Sequence, residues 1–232
     1  MNTDTALRRA QVYKFLAGAF LYPAENWLED APTVNEIARA LDAPTLIVDQ
    51  SAWNMDQLQS EHRRVFGLAG SLCYETEYGL PHEFRQSQEL ADLAGFYRAF
   101  GFDVGGAVRE RPDHLAVELE FACALALKEA YAAEKGIDEH VEVCADAQRK
   151  FIGDHLSGWI GLFAQSVALN AIDGPYLELA RFASAFVAAD AARLGARIEP
   201  RRLGDVKHTP VLADFSCGDC PVAEVPEQGV VA

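Results

Sequence analysis

The chain has 232 residues, half of them apolar, enough to bury a core as one domain or at most two small ones. A formal charge of −15 would repel a phosphate backbone, which argues against nucleic acid; it suits a basic partner, steered over about 8 Å at physiological salt. Five cysteines, an odd number, and an N-terminus with Arg8 and Arg9 but no long apolar run argue against a signal peptide or membrane insertion, and set a reducing cytoplasm as the expected location.

Helical periodicity begins at once. Leu7, Val12, Phe15, Leu16, Ala19 and Phe20 predict a helix over 5–22, stopped by Pro23. Residues 33–41 form a short helix with Thr33 as cap and Glu36 at the capping-box spacing, and 53–66 a further one. A long connection over 67–81 leads to a helix over 86–100 that ends at Gly101. After the glycine pair Gly105-Gly106, Pro112 is expected to open a long helix reaching about Glu134. Segments 145–156, 157–171 and 175–194 complete the series. No stretch alternates like a strand, so the fold class is an all-α single-domain bundle over 1–197, with 198–232 as a flexible tail that can be removed without loss of folding.

The most informative stretch is Glu110-Arg111-Pro112-Asp113-His114, followed by Glu118 and Glu120. With Pro112 at the first helical position, Asp113 falls in the first turn, where free N–H groups and the helix dipole favour a carboxylate. His114 and Glu118 are four apart and share a face. The cluster is therefore expected at a helix entrance beside a hinge, outside the core. Two readings stand side by side: these residues cap a helix and pin a turn, or they present carboxylates to a ligand. His114, among carboxylates, is expected to titrate near neutrality. His62, followed by Arg63 and Arg64, reads as part of a solvated face, and His155 with Trp159 as a packing pair four residues apart.

The Glu-x-Pro-Asp-His pattern resembles the signature of the redox-enzyme maturation chaperones, the TorD/DmsD/NarJ family. Three further stretches fit in order: residues 58–66 ending in Val65-Phe66, the loop Tyr74-Glu75-Thr76-Glu77-Tyr78-Gly79, and Phe151 to Trp159 with His155 between. The loop and residues 90–97 look like the delta-type subunits that accompany ethylbenzene, dimethylsulfide, selenate or chlorate redox enzymes. The resemblance implies an all-helical cytoplasmic chaperone without catalytic residues or cofactor. Its partner would be the catalytic subunit of a molybdopterin oxidoreductase, held by its twin-arginine leader before export. It also permits a monomer or a domain-swapped dimer. A leader joins guanidinium groups to an apolar stretch, so its receptor needs carboxylates beside a groove. Glu110, Pro112, Asp113, His114, Glu118 and Glu75 are expected at the polar contact, and Val65, Phe66, Tyr74 and Tyr78 as groove walls.

Competing classes are a small helical metal-dependent enzyme using His114, Glu118 and Glu120, and a helical module for some other basic peptide. No nucleophile elbow, phosphate loop or zinc-protease motif is present in the sequence. Cys217 and Cys220 are two ligands at metal spacing with no second pair, a weak site at best.

Overall fold

The computed structural model describes residues 2–67, 70–78, 85–105, 110–171, 173–198 and 201. Among these the secondary structure is helical: α1 (Thr3–Ala19), α2 (Ala31–Ala40), α3 (Met55–Phe66), α4 (Arg85–Ala99), α5 (Leu115–Glu134), α6 (Asp138–Phe151), α7 (Ser157–Asn170) and α8 (Pro175–Leu194). A π-helical turn, Ile152–Leu156, joins α6 to α7 without a break. The one β-type pairing among the described residues is an isolated antiparallel bridge between Tyr74 and His114. None of the described helices is long and apolar enough to cross a membrane.

Local chemistry sets several boundaries. Asn2 caps α1 by accepting the Asp4 N–H. Asn54 and Gln57 exchange side-chain and backbone bonds in a reciprocal box that starts α3. The box expected at Thr33 and Glu36 does not form. Pro32 takes an early position, so α2 begins at Ala31 and Thr33 already lies inside it. At α8 the proline start and glycine stop both act as written: Pro175 opens the helix and Gly195 closes it in the left-handed region at φ 66°.

α1 lies along α5, and α5, α6, α7 and α8 complete the bundle around an interior dense in aromatic rings. Phe121 meets Tyr97 and Phe151 edge-on at 4.7 Å each. Phe20 and Phe66 contact Phe163 further along. Such pairs add about 0.5–1.5 kcal/mol each beyond the area they bury. Cys73, Cys123 and Cys144 are buried free thiols, packed as small hydrophobes.

One polar knot crosses this core. Arg9 is fully buried on α1 and grips Asp190 of α8 with both arms, Nε to Oδ1 at 2.6 Å and Nη2 to Oδ2 at 2.8 Å. The Tyr13 hydroxyl donates to the same carboxylate at 2.7 Å. Nη1 of Arg9 donates to Glu129 of α5 at 3.3 Å, and Gln148 of α6 donates to that carboxylate at 2.7 Å. Burial disfavours the charged guanidinium, but Asp190 outweighs it and the Arg9 pKa rises. Three helices are thus held in one register by a desolvated cation, and Gln148 ties in α6 through Glu129. Arg9→Met should cost about 3–5 kcal/mol in urea unfolding, because Asp190 and Glu129 lose their buried counter-ion; a loss under about 1 kcal/mol would show the knot to be dispensable.

Candidate functional site

The motif residues do not start α5. Pro112 and Asp113 form a turn, His114 is the N-cap, and the helix begins at Leu115. The reason is the loop opposite. Glu75 N–H donates to the Asp113 carbonyl at 2.9 Å, and Leu115 N–H donates to the Cys73 carbonyl at 2.8 Å. This pairing holds His114 extended, at φ −75° and ψ 136°, so the helix starts three residues later than the proline suggests. His114 accepts the Ala116 N–H on Nδ1 at 3.1 Å, a cap that requires an unprotonated ring nitrogen. Burial lowers the His114 pKa against the pull of Glu110 and Asp113, so the imidazole is neutral at pH 7 and the expected titration near neutrality is displaced to acid.

Far from standing outside the core, most of the cluster is inside it: Asp113, Glu118 and Glu75 have no exposure and His114 has 7%. Asp113 is enclosed by Arg111, with Nε at 3.0 Å and Nη2 at 2.8 Å, and by the Thr76 hydroxyl at 2.8 Å. Arg111 also lies over the Tyr74 ring at 4.5 Å. Pro112 offers its carbonyl to the Tyr97 hydroxyl at 2.7 Å. Glu118 accepts the Trp159 indole N–H at 3.1 Å. Burial, reinforced by the charge of Glu75, pushes the Glu118 pKa well up, so this carboxyl favours its protonated form. These side chains brace the turn and leave no carboxylate free there except Glu110, half-buried and touched by the Tyr74 hydroxyl at 3.3 Å.

Glu75 has its own partners. His155, in the π-helical turn, donates Nδ1–H to its carboxylate at 3.1 Å and turns Nε2 toward Asp92 of α4 at 3.3 Å. Arg201 reaches the other oxygen of Glu75 at 2.7 Å, from four residues beyond the boundary expected at 197. The expected groove walls divide differently. Val65 and Tyr78 are core residues, with the Tyr78 ring on Trp159 and its hydroxyl on the Leu72 carbonyl. Phe66 is half-buried among Phe20, Phe163 and Tyr176, and Tyr74 is half-buried against His114. His62 is not on a solvated face: it sits half-buried between Tyr22, Phe66 and Tyr176, facing the Phe20 carbonyl. His114, Glu118 and Glu120 do not converge, since Glu120 points to solvent and pairs with Lys14. Cys217 and Cys220 lie outside the described residues.

The open cleft lies elsewhere, between the end of α1 and α2. It holds about 630 Å³, is lined by Phe15, Leu21, Tyr22, Trp27, Val34 and Ile37, and carries Glu25 and Asp30 at its edge. A smaller hollow across Gly18, bounded by Glu110 and Glu120, adjoins it through the shared residues Lys14 and Leu21. In the sequence Phe15 enters only as part of the periodicity of the first helix. The signal that could have exposed the cleft is the apolar cluster straddling Pro23, Leu21-Tyr22 and Trp27-Leu28, which is longer than one helix face can bury.

The described residues thus combine motif carboxylates bonded internally with an open apolar cleft that carries acidic residues at its edge. Residues 28–165 match the model described as nitrate reductase delta subunit. The chain is 29% identical over 200 residues to the chlorate reductase assembly chaperone protein of Ideonella dechloratans, covering 84% of this chain and 95% of that one. It is 36% identical over 142 residues to the selenate reductase assembly chaperone protein of Thauera selenatis, covering 60% and 72%. With the chaperone protein TorD of Vibrio parahaemolyticus it shares 28% over 188 residues, 79% and 81% of the two chains. These relatives are chaperones by name, and the class is that of redox-enzyme maturation chaperones for molybdoenzymes. The chain belongs to the nitrate reductase delta subunit family.

His155 supplies a pH test of the bracing. Burial opposes its charge, but the hydrogen bond to Glu75 and the charges of Glu75, Asp92 and Asp154 outweigh it, and its pKa is raised. Its contribution to stability is fully present below the unfolded value of about 6.5 and is lost as pH rises through the higher folded value. The urea midpoint should therefore fall between about pH 6.5 and pH 8.5, and fall less in His155→Gln. An identical fall in both proteins would show that His155 does not carry the charge assigned to it.

Proposed function

We propose that this chaperone holds the catalytic subunit of its molybdopterin oxidoreductase through a basic leader segment, in the cytoplasm, during cofactor insertion and before export. The observation that carries this reading is the α1–α2 cleft: an apolar trough of about 630 Å³ with Glu25 and Asp30 at its edge, continuing toward Glu110 and Glu120. A leader has the matching order of features, cationic groups followed by an apolar run. The apolar run would displace water from Phe15, Trp27, Val34 and Ile37, each buried methylene contributing about 0.8 kcal/mol. Guanidinium groups at the edge would add charge-assisted hydrogen bonds to carboxylates, about 1.5–3 kcal/mol when well made. The charge of −15 speeds encounter with any cationic segment. Names carried by the relatives, chlorate and selenate reductase assembly chaperones, support an oxyanion-reducing client.

Asp113 and His114 are poor choices for testing this, since removing either disturbs a buried brace. Ile37 is half-buried in the cleft and can be altered with less consequence for folding. Calorimetry with the client's catalytic subunit, with and without its leader, should show Ile37→Asp weakening capture by at least about tenfold, a loss of about 1.4 kcal/mol. Glu110→Gln combined with Glu120→Gln should weaken it less and flatten its salt dependence. Full affinity in Ile37→Asp, with native helix content, would place the client elsewhere on the surface.

A further inference from the structure

Beyond α8 the backbone folds back onto the body. It runs past the π-helical turn at Gly153, where an added Cβ would come within 2.6 Å of the Arg197 carbonyl oxygen. Arg201 then donates its backbone N–H to the Gly158 carbonyl at 3.0 Å. Its guanidinium donates to the Glu75 carboxylate at 2.7 Å and the Glu89 carboxylate at 3.2 Å. It also donates to the carbonyls of Glu75 at 2.9 Å and Tyr78 at 3.3 Å. Two carboxylates and two carbonyls thus converge on one planar fork, an arrangement that fits arginine and that the point charge of lysine cannot match. The Arg201 side chain keeps 14% exposure, so the site borders solvent, while Glu75 at its floor has none.

We propose that Glu75, Glu89 and the Glu75 and Tyr78 carbonyls form a receptor for an arginine side chain of the client, and that Arg201 fills it in cis as an autoinhibitory stand-in. The sequence at that point, Arg201-Arg202-Leu203, carries adjacent arginines followed by an apolar residue, the same order of chemistry as the proposed leader. A tethered ligand acts at an effective concentration in the millimolar range. Displacing it therefore requires a client anchored at a second place, which makes the contact a filter against isolated basic peptides. The inference rests on the client's having a basic segment, and not on the α1–α2 cleft.

The test uses the full chain and two probes: a synthetic peptide copying residues 196–207, and a synthetic leader-type peptide with adjacent arginines ahead of an apolar stretch. Both should bind Arg201→Ala at least about tenfold more tightly than the unaltered chain. Adding Glu89→Gln to Arg201→Ala should take back most of that gain. So should lysine in place of the matching arginine of the copied peptide. A leader-type peptide that binds both proteins equally overturns the inference and leaves the leader reading standing. If it binds neither, the leader reading falls, and preference of the copied peptide for Arg201→Ala then decides for or against the arginine receptor alone. Where Arg201→Ala does not fold, Gly153→Ala keeps every charge in place while displacing the Arg197 carbonyl. It should shift affinity in the same direction, and equal affinity for Gly153→Ala and the unaltered chain would count against the receptor.

Discussion

Two carboxylates on either side of one backbone bridge hold this molecule's functional end together. Glu75 and Asp113 flank the pairing of Tyr74 with His114, and both are removed from water. A desolvated carboxylate is tolerable only when donors surround it, and here each has cationic partners: Arg111 for Asp113, His155 and Arg201 for Glu75. The loop before α4, the turn before α5, the π-helical turn and the segment after α8 are consequently fixed to one another. Arg9 does the same for the far side of the bundle, joining α1, α5 and α8. In a helical body with few local constraints on how its helices slide, such knots set register in a way apolar packing alone does not.

This arrangement changes what the family motif means physically. Asp113, His114, Glu118 and Glu75 make their hydrogen bonds inside the protein, which gives these residues a bracing role. What it leaves outside is Glu110, at the end of a hollow that runs over Gly18 toward the α1–α2 cleft. If the client sits on that cleft as proposed, the charged residues form the rigid frame and the contact is apolar and open.

Much of the fold was legible from local signals. Helix α8 could be read to the residue, because proline at the start and glycine at the stop act within one turn of chain. The all-helical class followed from periodicity alone. Site residues were legible as a cluster but not as an environment. Asp113 looked like a first-turn carboxylate because one of its partners, Thr76, is 37 positions away; His155, a partner of Glu75, is 80 away from it, and Arg9 meets Asp190 across 181. No spacing rule carries information over such distances. Arg201 was assigned to a tail for the same reason, since Glu75, Tyr78, Glu89 and Gly158, which hold it, all lie far back in the chain. The resemblance pointed to the family and could not say which way the motif side chains faced.

On the proposed function the client lies on the α1–α2 cleft, while the brace around Asp113 and Glu118 holds its frame. Amide hydrogen exchange on the complex with the client's catalytic subunit tests it most directly. New protection is expected across residues 14–37, with amides at 113–118 slow in both the free and the bound protein. New protection confined to 113–118, with 14–37 unchanged, would contradict it and return the motif to the role of contact surface.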